Sequence, residues 1–231
     1  HKARWQEVTL ESQAWSRLEW TKALRGSSRC FVLKGNVLNC QIPGHCQTVV
    51  GNIPYRISSA LISKLLRQEP PLQRIVLMVQ MEFAKKLMAK PGTMKFGVVS
   101  AMCAALCASR EVVIERLPPD LFDPPPRVDS QVLKLEPHQV PPASADRLEQ
   151  LLRALLKGKG GSTGLAARDV ALETALENLE MNKVDSALQL PPRWRLALGG
   201  AQLDPATPVA QLTVEDLVKL CNALGQLQPA G

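Results

Sequence analysis

The sequence predicts an α/β fold in which short buried strands alternate with helices, followed by a small helical unit. Three observations predict it. Brief apolar runs are each stopped by Gly, Asn or a polar loop. Helix-period segments lie between those runs, as crossover connections between parallel strands require. After Asp123-Pro124-Pro125-Pro126 the pattern changes, and beyond one further strand only helical periodicity remains.

Val8 to Leu10 is a β-like run ending at Glu11, and Ser12 to Leu24 carries Ala14, Trp15, Leu18 and Leu24 at helical spacing. Cys30 to Leu33 is a second strand, before Lys34-Gly35-Asn36. Thr48 to Val50 is a third, stopped at Gly51-Asn52. Ser58 to Leu66 reads as a helix with a broad apolar face. Ile75 to Val79 is almost wholly apolar, which predicts a strand buried on both faces of a parallel sheet. Val128 to Leu135 alternates like a strand, and His138 to Ala145 is a Pro- and Ala-rich linker. Helices are expected over Arg147 to Leu156 and Leu165 to Leu179. A last one opens at Thr213 with Asp216 three residues on and runs through Leu224, with Gly225 able to close it. The domain boundary is drawn near 142, giving an α/β domain over 1–141 and a helical domain over 142–231.

With 45% hydrophobic residues the chain can bury a core without disulfides. Lys and Arg number 28 against 21 Asp and Glu, a net charge of +7 that suits a phosphate-backbone partner. The six cysteines lack paired CxxC spacing and secreted-scaffold density, so free thiols, a reducing compartment and no metal site are expected. No apolar run reaches the roughly 18 residues of a membrane span. The chain opens on His1 rather than Met, which suggests that something upstream was processed, cut away or left out.

The most specific motif is Val49-Val50-Gly51-Asn52-Ile53-Pro54-Tyr55, an apolar strand ending in a polar-Pro-aromatic loop. In a doubly wound fold ligands sit beyond the carboxyl ends of the strands, so this loop faces the reaction site. The Asn52 side-chain oxygen and the Pro54 carbonyl can each accept one hydrogen of an exocyclic amine, turning its lone pair toward an incoming methyl group. Tyr55 offers a flat face for an extruded base. Taken in isolation, the same four residues read as a strand-terminating turn.

Downstream lie Met78 to Leu87, Lys90-Pro91-Gly92 and Leu121-Phe122-Asp123-Pro124-Pro125-Pro126-Arg127-Val128-Asp129-Ser130. In order and spacing these runs resemble the KsgA-type ribosomal-RNA adenine N6,N6-dimethyltransferases, which include nuclear and mitochondrial members. The resemblance covers nearly the whole chain. It implies a Rossmann-type methyltransferase sheet with a small C-terminal helical domain, S-adenosylmethionine as methyl donor, and N6-methylation of adenines in small-subunit ribosomal RNA. It also implies a pre-ribosomal particle as partner, no membrane, and a monomer outside that particle.

By the same resemblance Glu11 would bind the cofactor's ribose hydroxyls, Asn36 would stand where the family places an acid on the adenine amine, and Asn52 would complete the cofactor set. Phe122 corresponds to an aromatic packed on the target adenine, or serves as a core anchor for its loop. Lys85, Lys86, Lys90 and Lys95 form a basic cluster that, with Arg127, would contact RNA or simply be a solvated face. The family's Gly-rich loop should precede Glu11 by about 20 residues, and the chain starts too late to contain it. Lys157-Gly158-Lys159-Gly160-Gly161-Ser162-Thr163-Gly164 stands where an Arg/Lys-rich stretch is usual and reads as a connector. These departures leave a second reading, a catalytically degraded member acting as a small-subunit assembly or structural factor. A third is a DNA-binding mitochondrial transcription factor derived from the family. The mitochondrial matrix is the expected compartment, with cytoplasm or nucleolus as alternatives.

His45 and His138 read as surface histidines, and Cys103 and Cys107, one helical turn apart in an Ala-rich run, as core packing.

Overall fold

A computed structural model describes residues 5–9, 30–156, 170–182 and 194–227; for 5–9, 30–34 and 178–182 it gives the backbone alone. The predicted helix over Ser12 to Leu24, Glu11 and the connector 157–164 lie outside the described residues.

The described residues form two sheets. Strands β1 (Trp5–Thr9) and β2 (Cys30–Lys34) pair in parallel, with Trp5 opposite Cys30 and Thr9 opposite Lys34. Strands β3 (Thr48–Asn52), β4 (Arg74–Gln80), β5 (Cys107–Leu117) and β6 (Ser130–Pro137) make the second, in the order β3-β4-β6-β5. β3 and β4 are parallel, whereas β6 runs antiparallel to both β4 and β5. A parallel pair needs a crossover, and helix α1 (Ser58–Leu66) supplies it, burying Leu61, Ile62, Leu65 and Leu66.

β4 departs from its prediction. Ile75, Leu77 and Val79 are fully buried, but Val76 and Met78 on the opposite face are only half-buried, and the sheet around β4 is mixed rather than parallel.

For four elements the sequence sets no bounds, although its Ala-rich run around Cys103 reads as helical. Helix α2 (Met81–Leu87) follows β4 directly, and helix α3 (Val98–Leu106) runs without a loop into β5. Between them Gly92 takes φ +79°, the left-handed backbone that lets the Lys90–Thr93 turn close. Cys107 therefore begins a strand and does not share a helix with Cys103. β5 is an edge strand with three register irregularities, and its charged residues Arg110, Glu111, Glu115 and Arg116 mask any apolar pattern.

The helical layer comprises α4 (Ala145–Leu156), α5 (Leu172–Asn182), α6 (Trp194–Ala201), the fourth element without predicted bounds, and α7 (Val214–Leu227). The linker before α4 is pinned by hydrogen bonds: the His138 N–H to the Leu106 carbonyl, the Gln139 amide to Leu72, and the Asn222 amide to Pro142. One buried cluster runs from Ile53 and Leu77 through Leu148 and Leu152 to Leu220, across the 141/142 boundary. Val170 and Ala171 precede α5, so that helix starts later than its periodicity suggested; the Leu172 N–H bonds instead to the Thr207 carbonyl.

Thr213 and Asp216 cap α7 as the sequence indicated: the Asp216 N–H donates to Thr213 Oγ1 at 3.1 Å and the Thr213 N–H to the Asp216 carboxylate at 3.0 Å. Gly225 does not close the helix, which continues to Leu227. A Cβ at that position would come within 2.5 Å of the exposed Arg147 guanidinium, a flexible group that can swing aside, so the contact places α4 beside Gly225 without requiring glycine there.

Candidate active site at the carboxyl ends of the strands

The register of the four-stranded sheet brings three chain segments to one edge. β3 ends at Asn52, opposite Met78, and β4 ends at Gln80, opposite Ser130. β5 ends at Leu117, also paired with Ser130, so the whole 118–129 loop hangs over the same edge.

Within the first segment Ile53 is buried and anchors the loop, while Asn52 is exposed and its side chain has no hydrogen bond among the described residues. The amide predicted to grip an amine is thus uncommitted. Pro54 leads into a 3-10 turn over Tyr55–Ile57, and its carbonyl accepts the Ile57 N–H at 3.1 Å. One lone pair of that oxygen stays available. Gly51 keeps β3 close to β4: a Cβ there would press on Ile53 and Leu77 at 3.3 Å.

Tyr55 is half-buried, and its hydroxyl lies 2.8 Å from Ser130 Oγ, which is fully buried at the start of β6. This bond latches the first segment to the third and fixes the ring's orientation. The Met81 N–H donates to the Asp129 carbonyl at 3.0 Å, tying the second segment to the third as well. Phe122 is half-buried in the 118–129 loop, just after the turn Pro119–Leu121, with its N–H on the Pro119 carbonyl. Sequence reasoning gave Ser130 no role, because a serine that matters through a tyrosine 75 residues away leaves no local signal.

Beside this edge a cleft of about 410 Å³ is lined by Gln80, Glu82, Lys85, Pro119, Arg127 and Asp129 among others. It joins Lys85 of α2 and Arg127 of the 118–129 loop, two of the predicted RNA contacts. Lys86, Lys90 and Lys95 are exposed but do not line it. Lys95 is paired with Glu82 at 3.0 Å, and that hydrogen bond holds the Glu82 carboxyl below its usual range, with the charges of Lys95, Lys86 and Lys85 adding to it.

Asn36 is exposed beyond β2, where its side-chain oxygen accepts the Leu38 N–H at 3.0 Å. The group expected to receive an adenine amine is therefore already half-used as the cap of a local turn. Its second lone pair and its NH₂ are left over, a neutral donor–acceptor pair that fits an adenine edge. Asn36 and Asn52 bring no charge to repel a sulfonium.

Cys103, Cys107 and Cys221 are buried in the core. Cys103 is buried and raised well above the ordinary thiol range by its hydrogen bond to Cys107 and by burial, and burial pushes Cys221 to about 11. Among the described residues no group of His, Cys, Asp and Glu could hold a metal ion.

A family model described as ribosomal RNA adenine dimethylase matches residues 8–188. Ribosomal RNA small subunit methyltransferase A of Thermosynechococcus vestitus is 35% identical over 209 residues, spanning 87% of this chain and 72% of that protein. The dimethyladenosine transferase of Schizosaccharomyces pombe is 31% identical over 175 residues, 74% of this chain and 56% of its own length. Among solved structures, a dimethyladenosine transferase from Plasmodium falciparum superposes with a TM-score of 0.68 at 24% identity, covering 92% of this chain and 79% of that one. That likeness identifies the fold as the Rossmann-like methyltransferase sheet with helices.

Proposed function

The chain belongs to the ribosomal RNA adenine dimethylase family, and on that premise we propose that it methylates adenine N6 in small-subunit ribosomal RNA with S-adenosylmethionine as donor. The observation that carries the proposal is the sheet edge where an uncommitted Asn52 and a latched Tyr55 stand side by side.

Bound S-adenosylmethionine supplies an electrophilic methyl group on a positively charged sulfur. The chain's residues supply placement. The Asn52 side-chain oxygen and the Pro54 carbonyl take the two amine hydrogens, which aims the nitrogen lone pair in one direction. The Tyr55 ring, held at its hydroxyl by Ser130, gives the base a platform that needs no reordering on binding. Phe122 closes on the base from the 118–129 loop, while Asn36 and Glu11 hold the cofactor's adenine and ribose. No side chain has to be a strong base, because the proton leaves after the methyl group has moved.

RNA reaches the site through its phosphates. Lys85 and Arg127 on the cleft are the principal contacts in this reading, with Lys86, Lys90 and Lys95 adding a diffuse field. The pre-ribosomal small-subunit particle is the partner we propose, met by a monomer. We also propose residence in the mitochondrial matrix, a reading supported by the Gly/Lys connector 157–164 in place of a basic stretch; subcellular fractionation tests it.

The test of function is calorimetry with S-adenosylmethionine on the longest natural form of the protein, followed by methyl transfer to small-subunit particles. Micromolar binding and label in adenine N6 are the expected results. A well-folded protein that binds no S-adenosylmethionine would overturn the enzyme reading and leave an assembly or structural role on the ribosome.

A further inference from the structure

We propose that Lys64 is a positioning residue for the methyl donor, clamping the turn that presents Asn36 to the helix that follows the Asn52–Tyr55 loop. The proposal rests on the reading of Asn36 as the contact to the cofactor's adenine.

Residues 36–40 form a single helical turn. The N–H groups of Asn39 and Cys40 donate to the Asn36 carbonyl at 2.9 and 3.1 Å, and the Asn36 side chain caps the front of the turn by accepting the Leu38 N–H. One turn of helix is too short to hold itself together in water. Its later carbonyls would be orphaned, yet three of the four meet one ammonium group: Lys64 Nζ donates to Val37 at 2.7 Å, to Leu38 at 2.9 Å and to Cys40. Three acceptors saturate the three hydrogens of a lysine, and a cation is the favoured cap for a helix C-terminus. Lys64 is half-buried, so the contact is sheltered from solvent. Near the end of the same helix Gln68 extends the grip, its amide donating to the Ile42 carbonyl at 3.3 Å.

Lys64 lies in α1, which the chain enters directly from Asn52–Tyr55 through the turn Tyr55–Ile57. A side chain in a helix leans toward the helix N-terminus, which directs Lys64 back along α1. The same short helix thereby carries the loop that orients the acceptor amine and grips the turn that orients the donor. Lys64 touches neither reactant; it sets the distance between the loops that do.

The experiment compares the full chain with Lys64→Met, which keeps the stem and removes the charge, and Lys64→Arg, which restores a charged donor. Amide exchange at residues 38–40 is followed by mass spectrometry, S-adenosylmethionine affinity by calorimetry, and KM for S-adenosylmethionine separately from kcat. In Lys64→Met we expect faster exchange confined to the turn, about tenfold weaker binding, a KM raised by a similar factor and little change in kcat. Lys64→Arg should recover part of each. Unchanged exchange in Lys64→Met would show that the turn does not depend on the clamp. Faster exchange with unaltered affinity would show that the turn does not position the donor, and either result overturns the proposal. If the wild-type chain binds no S-adenosylmethionine, the functional reading falls and the positioning role with it, while the exchange data still report whether Lys64 holds the turn.

Discussion

The carboxyl edge of the β3–β4 sheet and the junction between α1 and α4 use polar residues in opposite ways. At the sheet edge Asn52, Lys85 and Arg127 stand exposed and without described partners. At the junction Glu149 is buried, with 6% of its side chain accessible, and is surrounded. Arg153 Nε donates to its Oε1 at 2.8 Å, Ser63 lies at 3.5 Å, and Arg67 Nη1 sits 3.3 Å from Oε2. That last oxygen accepts no well-formed hydrogen bond, so its compensation is mainly Coulombic. Polar groups meant for a ligand are left open, and those that join layers of the fold are closed off by one another.

The sharpest way to break this contrast is to remove one member on each side and ask whether activity and stability separate. Asn52→Ala should lower kcat by about 10²-fold or more, the scale on which a group aimed at the reacting centre counts, while the urea midpoint stays put. A drop in stability would mean that Asn52 belongs to the fold. Glu149→Ala should cost about 3 kcal/mol in urea unfolding. Its two arginines remain partly exposed and can turn to water, which keeps the loss at the low end. Activity per folded molecule should be retained.

Tyr55→Phe sits between the two extremes, because the Tyr55–Ser130 bond is both a site device and a tie between chain segments. Loss of about 1 kcal/mol is expected, with a several-fold fall in kcat that Ser130→Ala reproduces. The double variant should add little beyond either single change. The mildest effects belong to the cations. Lys85→Ala and Arg127→Ala should each reduce the salt slope of RNA binding by about one, measured from log K against log salt. Lys95→Ala should change it less, since Lys95 is already paired with Glu82.

What the sequence disclosed follows from how local each signal is. β3, β4 and α1 were readable because their apolar runs and the intervening Gly51-Asn52 and Pro54 breaks lie within a few residues of one another. The Asn52–Tyr55 loop was readable for the same reason. β5 was not, because an edge strand carries charges and bulges in place of alternation, and α6 was missed although Trp194, Ala197, Leu198 and Ala201 fill its buried face. Gly225 misled because a glycine near a helix end need not end it, and α7 runs two residues further, to Leu227. Ser130 and Lys64 owe their importance to partners 75 and 24–27 residues away, distances at which one chain carries no record of contact. Where the chain's short segments meet is a property of sheet register, and register is what the structure adds.

The most direct test of the account is mass spectrometry of adenosines from small-subunit ribosomal RNA incubated with S-adenosylmethionine and the longest natural form of the protein, wild type beside Asn52→Ala. N6-methylated adenosine produced by the wild type and nearly abolished in the variant, with both equally folded, is the predicted result. Wild-type protein that methylates nothing, or a variant that methylates undiminished, would contradict the assignment of the reaction to this edge of the sheet.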